Sequence, residues 1–235
     1  MRTKVLLCAA ALVASLASSM AQNVYSLNVV GYVNVTLPSH QFTAVANPLD
    51  ASMGGTIATG NDMTNLFNIA TTPGLAGGST IQQFSSALND YTAAISYVAL
   101  SKKWGSNFSM PPGKAVLFNN NGASDVVVTF TGQVPQGTYN VATLGSHQFT
   151  LVGSPVPIGG NITNSTTVVG LVPSGGDTVA TFNSALNDWN PATAWVQLSK
   201  KWGNTASSTI AVGQGFLYNN NGASANNWVS NFTVQ

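Results

Sequence analysis

The sequence predicts an all-β fold. It should form two tandem β-sandwich-like repeats related by pseudo-two-fold symmetry, with at most one short helix per repeat. Three observations predict this. Several blocks occur twice, apolar positions alternate with a period of two, and no long helical period appears. Ser39 to Thr43 (SHQFT) returns as Ser146 to Thr150, and Phe84 to Asp90 (FSSALND) returns as Phe182 to Asp188 (FNSALND). Leu100 to Gly105 (LSKKWG) returns unchanged at Leu198 to Gly203, and Leu117 to Ser124 (LFNNNGAS) returns as Leu217 to Ser224 (LYNNNGAS). The separations drift from 107 to 98 to 100 residues, so insertions and deletions lie between the blocks. A period near 100 is too long for a solenoid unit, whose repeats run to about 50 residues. It is long enough for a small sandwich.

Residues 1–21 read as a signal peptide. Arg2 and Lys4 give a basic start, Val5 to Leu16 is apolar, and Ser19-Met20-Ala21 is a small-x-small cleavage site. The apolar run is shorter than the roughly 20 residues of a membrane span. Cleavage would make Gln22 the first mature residue and remove Cys8, the one cysteine. The mature chain would then rely on core burial without disulfides. Repeat 1 is assigned to residues 22–134 and repeat 2 to residues 135–235.

Asn23 to Leu37 reads as a long strand, with Gly31 marking a bulge or bend. Gln41 to Asn47 reads as the next strand. Asn47-Pro48 and its partner Ser154-Pro155 stop matched strands, because proline lacks the N–H that a ladder needs. Met63, Leu66, Phe67 and Ala70 fall at helical spacing, with Asn61 or Asp62 as N-cap. The matching region, Asn164 to Val172, is a weaker helix. Ser79 to Ser85 and Thr92 to Leu100 read as strands around the Ala-Leu-Asn-Asp turn. Lys114 to Asn119 and Asp125 to Val134 read as a hairpin across Asn120-Asn121-Gly122, since Asn-Gly favours a type I′ turn. The same hairpin is expected around Asn220-Asn221-Gly222. Tyr139 to Leu144 aligns with Tyr32 to Leu37. Repeat 2 ends without a continuation, so Asn23 to Tyr32 is the candidate to lie beside the last strand, in its own chain or in a neighbour.

Charge is sparse, at 6% of residues against about 25% in typical domains. Beyond residue 21 there are five Lys, six Asp, no Arg and no Glu, for a net charge of −1. Such a surface tolerates self-association. It excludes nucleic acid as a partner, because that needs clustered basic residues.

The stretch Gln22 to Val35 (QNVYSLNVVGYVNV) resembles the mature start of exported, duplicated β-rich proteins of verrucomicrobial and planctomycete-like bacteria. Phe42 to Asp50 and Gln148 to Pro155 are similar to the aromatic, apolar, Asn/Ser-Pro opening of each repeat there. Gly113 to Phe118 and Gly213 to Tyr218 resemble the strand that follows, with Ala115 departing where Gly215 stands. The resemblance implies export and β structure. It carries over no activity and no functional residue.

Asp90 and Asp188 are the only acids at matched positions, and Asx-type turns account for them. His40 and His147 match as turn residues. No catalytic residue, metal ligand or cofactor is assigned. Six aromatics form the candidate ligand-binding set: Trp195, Trp189, Tyr97, Tyr91, Trp104 and Trp202. Tyr97 aligns with Trp195, and Tyr91 with Trp189. With Ala192, Ala194, Val196 and Leu198 placed on the core face of a strand, Trp195 would face out as a sugar-stacking ring. For Trp104 and Trp202 the favoured reading buries the ring while the neighbouring lysines reach water. The leading functional reading is an exported, non-enzymatic structural or surface/matrix protein. It would lie in the periplasm, on the cell surface or outside the cell, and would self-associate through its N-terminal strand. The alternative is a carbohydrate-binding module that takes polysaccharide. The third is a hydrolase with a site between the repeats, which would need a cleft gathering Asp, His and Lys from both; convergence of Asp90, Asp188, His40 and His147 is its test.

Overall fold

Strands make up nearly all the regular structure, as the alternating pattern predicts. The computed structural model describes residues 29–52, 60–162, 170–203 and 208–234. The expected signal peptide, the first residues of the long first strand and most of the second helical region lie outside the described residues.

Two sheets and two ribbons organise the chain, and all their pairings are antiparallel. The first sheet runs in the order β2 (Phe42–Ala46), β8 (Ala115–Asn119), β3 (Thr80–Gln82), β6 (Ile95–Val98), β7 (Lys103–Trp104). The second runs β11 (Gln148–Gly153), β18 (Gly215–Asn220), β13 (Thr178–Asn183), β15 (Thr193–Val196), β16 (Lys201–Trp202), with β14 (Asp188–Trp189) paired to the end of β13. One ribbon joins β1 (Val30–Leu37) to β9 (Val126–Gln133), and the other joins β10 (Gly137–Leu144) to β19 (Asn226–Phe232). Short pairs, β4 (Phe84–Ser85) with β5 (Asp90–Tyr91) and β12 (Gly160–Asn161) with β17 (Thr209–Ile210), finish the loops. The helix α1 (Met63–Leu66) is a single turn, and Asp62 takes the N-cap position without a side-chain cap bond.

Each sheet is covered on both faces. On β8, Val116 and Phe118 join the core beneath the β1–β9 ribbon, while Ala115 and Leu117 point the other way. On β2, Val45 faces that core while Ala44 and Ala46 face away. The second sheet has its own core with the β10–β19 ribbon, centred on Leu144, Phe216, Tyr218 and Trp228. A third cluster, including Ala44, Ala46, Leu117, Leu151 and Phe182, lies between the two sheets. The layers therefore run ribbon, sheet, sheet, ribbon. Two-sided burial is why β2, β8 and β18 read as near-continuous apolar runs rather than clean alternation.

β2 and β11 end just before Asn47-Pro48 and Ser154-Pro155, as expected. Three local expectations are corrected. First, β8 and β9 are not a hairpin: β8 pairs with β2 and β3, and β9 pairs with β1. Neither Asn121 nor Gly122 has positive φ, so the turn is not type I′. Asn120, fully buried, builds a corner instead. Its amide donates to the carbonyls of Leu37 (2.9 Å) and Ser124 (3.0 Å), and its Oδ1 accepts from Gly122 N. Asn220 repeats this with Leu144, Ser224 and Gly222. Each corner hands the chain from a sheet to a ribbon. Second, the place beside the last strand is filled by β10, and Val30 to Tyr32 pair with Thr131 to Gln133. Third, Gly31 marks no bulge, because the β1–β9 register is continuous. A β-carbon there would lie 2.5 Å from Leu49 Cδ2, so close approach explains the glycine.

The second core carries a buried carboxylate where the first has a serine hydroxyl. Asp177 is fully buried. It accepts from Ser174 N (2.7 Å), Asn221 N (2.8 Å) and the Tyr218 hydroxyl. At the matched positions of repeat 1, Ser79 Oγ accepts from Asn121 N and the ring is Phe118. The smaller acceptor comes with a ring that has no donor. Y218F would leave the buried carboxylate one donor short, and we expect a loss of about 1–3 kcal/mol in urea denaturation. Burial, with Asp177 adding to it, pushes the Tyr218 phenol far above its ordinary value. Burial also pushes Tyr91 and Tyr139 up to about 12. Unfolded phenols ionise near pH ~10, so above that pH the folded state binds more protons than the unfolded state. Stability is therefore complete below pH ~10 and falls as pH climbs toward ~12. Y218F should show a shallower alkaline decline in the same denaturation series.

Candidate functional site

The six aromatics divide into two groups by position. Tyr97, Trp104 and Trp202 are buried and belong to the cores. The Trp104 indole donates to the Phe67 carbonyl, while Lys102, Lys103, Lys200 and Lys201 are exposed. That is the arrangement favoured for the Lys-Lys-Trp blocks. Tyr91 and Trp189 are half-buried beside the layer between the sheets. They pack edge-on to Phe84 (5.3 Å) and Phe182 (5.1 Å).

Trp195 faces the opposite way to the expectation. Thr193 is buried and Trp195 half-buried, whereas Ala192, Ala194, Val196 and Leu198 are exposed. The Trp195 ring packs against Trp202 at 5.3 Å and 68°, and its Nε1 donates to Gln197 Oε1 (3.2 Å). The tryptophan takes the core face of β15 because a large ring buries more apolar area than alanine or valine.

Both repeated acids are exposed. Asp90 Oδ1 accepts from Tyr91 N and Asp188 Oδ1 from Trp189 N, each at 2.7 Å. His40 (φ 55°) and His147 (φ 53°) are exposed turn residues. Among the described residues, no group of three or more His, Cys, Asp or Glu could hold a metal ion.

The seam between the sheets has the most specific geometry, and its contacts come in reciprocal pairs. Phe42 N donates to Asn187 Oδ1 (2.8 Å), and Phe149 N donates to Asn89 Oδ1 (3.1 Å). Thr43 Oγ1 meets Ser184 Oγ, and Thr150 Oγ1 meets Ser86 Oγ, both at 3.2 Å. Ala46 N donates to Gly213 O (2.8 Å), and Gly153 N donates to Gly113 O (2.9 Å). Residue i touches j while the match of i touches the match of j. Asn89 (φ 48°) and Asn187 (φ 51°) sit in the left-handed region that asparagine tolerates. Their side chains reach across the seam rather than closing a local turn, a role that no local pattern around them signals.

Two matched positions oppose themselves across the seam. Ala46 faces Gly153, and Ala115 faces Gly215. A β-carbon on Gly153 would lie 2.2 Å from Ala46 Cβ, and one on Gly215 would lie 2.9 Å from Ala115 Cβ. Each contact has room for one methyl only. The Ala115 departure noted in the sequence is one half of this fit.

Matching clefts flank the seam. One, of about 240 Å³, lies between Val35, Thr43, Phe182 and Gln214. The other, of about 210 Å³, lies between Val141, Thr150, Phe84 and Lys114. Both are smaller than ordinary ligand pockets, which run upward from about 300 Å³. Lys114 Nζ donates to Gln83 Oε1 (2.8 Å) and Ser109 O (2.9 Å) and lies 5.0 Å from the Phe108 ring centroid. Burial lowers its pKa. The wall of the twin cleft is neutral Gln214.

Compared with protein-family models, curated proteins and solved structures, the chain matches none.

The self-opposed pairs give a direct test of the seam. G215A alone forces two methyls together and should cost about 1–3 kcal/mol. Adding A115G removes the opposing methyl and leaves the new β-carbon 3.3–3.4 Å from Ala44, so most of the loss should return. A double-mutant cycle by urea denaturation reads this coupling.

Proposed function

We propose that this chain is an exported, non-enzymatic β-protein of the cell surface or extracellular matrix. Its two repeats form a pseudo-two-fold pair, and neighbouring molecules associate edge to edge through β1. Export rests on the reading of residues 1–21 as a signal peptide. The symmetry is supported by the reciprocal seam contacts and by the matching strand orders of the two sheets.

The observation that carries the association is the state of β1. It pairs with β9 on one side, and no described strand pairs along its other edge. Val30 (64% exposed) and Tyr32 (67%) stand on its solvent side without a charged neighbour on the strand. Natural proteins protect such edges with lysines, prolines or bulges, and β1 has none of them. Sparse charge elsewhere adds little repulsion between copies. No helix among the described residues is long and apolar enough to cross a membrane.

A sugar-stacking reading has lost the outward Trp195 on which it depended. The edge reading is tested by sedimentation velocity of the mature chain over a concentration series. Association should grow with concentration, and V30K/Y32K should shift the chain to monomer without lowering its melting temperature. A wild-type chain that stays monomeric at high concentration, or a lysine variant that associates as before, would refute it.

A further inference from the structure

The repeated blocks differ in how much of them the fold explains. The Asn-Asn-Gly blocks build the two corners, Ser39 and Ser146 donate to Gly122 O and Gly222 O, and Asn89 and Asn187 lock the seam. In the block Leu-Ser-Lys-Lys-Trp-Gly, packing explains the tryptophans alone. Leu100 is 100% exposed and Leu198 is 99% exposed. Behind each leucine stands a half-exposed valine, Val98 or Val196. Each leucine is followed two residues later by a paired lysine, Lys102-Lys103 or Lys200-Lys201, on the exposed tip of a hairpin. These four hold all but one of the lysines beyond residue 21. Lys102 (φ 54°) and Lys200 (φ 50°) occupy left-handed positions that glycine or asparagine would hold with less strain. Both tips nevertheless carry lysine there.

At the first tip the lysines also border a cleft of about 290 Å³. Thr64 and Asn68 line it beside them, and Tyr97 and Trp104 line it from the core. Ile69, directly after Asn68, is 47% exposed.

We propose that the two tips are contact points for an anionic lipid bilayer. Leu100 and Leu198 enter the headgroup–acyl boundary, and the lysine pairs meet anionic headgroups. The cleft between Thr64, Asn68, Lys102 and Lys103 receives one headgroup. An acidic polymer would satisfy the lysines but give the fully exposed leucines nothing to bury against. A bilayer satisfies both. The proposal is independent of edge association, because the tips belong to β6–β7 and β15–β16 rather than β1.

The test is co-sedimentation of the mature full chain with phosphatidylglycerol/phosphatidylcholine vesicles and with phosphatidylcholine vesicles. Binding is expected to the anionic vesicles alone and should weaken as salt rises. L100S/L198S should lower partitioning roughly ten-fold or more, from lost apolar burial. K102Q/K103Q/K200Q/K201Q should lower it at least as much. An unchanged melting temperature in each variant confirms that the fold is intact, as expected for exposed tips. No binding at millimolar anionic lipid would overturn the proposal. So would a leucine variant that binds as the wild type does, which would make the tips plain basic patches.

Discussion

The structure depends on how closely two sheets can approach back to back. The layer between them is built from Ala44, Ala46, Ala115, Gly153 and Gly215, with Leu117, Leu151 and Phe182 around them. At the two self-opposed positions a single methyl fills the gap. Small residues allow the main chains to bond directly across the seam, at Ala46 to Gly213 and at Gly153 to Gly113. Those bonds satisfy groups on β2 and β11 that would otherwise be buried without partners. Close approach and backbone pairing therefore require each other. The ribbons then only need to cover the outward faces, which they do with larger side chains such as Phe130 and Trp228.

Much of this fold was legible in the sequence where a single local rule decides. Proline stops β2 and β11 because the missing N–H acts wherever the strand sits. The all-β class follows from alternation in β1 and β9, whose one wet face keeps the pattern clean. What was illegible depends on partners distant in the chain. The Asn-Asn-Gly blocks look like hairpin turns, because Asn-Gly often is one. Only the buried amide of Asn120, reaching back to Leu37, makes a corner of it. Trp195 is hard to place because its strand offers more apolar residues on one side and a large ring with polar residues on the other. Counting apolar positions favours the first side, while buried area favours the second.

The same distinction holds for the candidate site. Burial of the Lys-Lys-Trp rings was readable because a tryptophan beside two lysines has one economical arrangement. The reach of Asn89 and Asn187 across the seam was not, since an asparagine in a loop has many local partners. Differences between matched positions proved as informative as identities. Ser79 with Phe118 against Asp177 with Tyr218 is a change of acceptor and donor together. Lys114 against Gln214 gives otherwise similar clefts different charge.

The one-methyl fit has a consequence for assembly. Were two identical chains to meet at this surface, every residue on the axis would face its own copy, Ala against Ala or Gly against Gly. The first would collide and the second would leave a gap. Unlike partners are available here because the two sides, both parts of one polypeptide, differ in sequence at Ala46/Gly153 and Ala115/Gly215. Joining the halves by the short link from β9 to β10 thus gives a closeness of fit that no symmetric dimer of either half could reach. It also leaves neither half with a finished exterior, so each half relies on the other to cover Ala44, Ala46, Leu117 and Leu151.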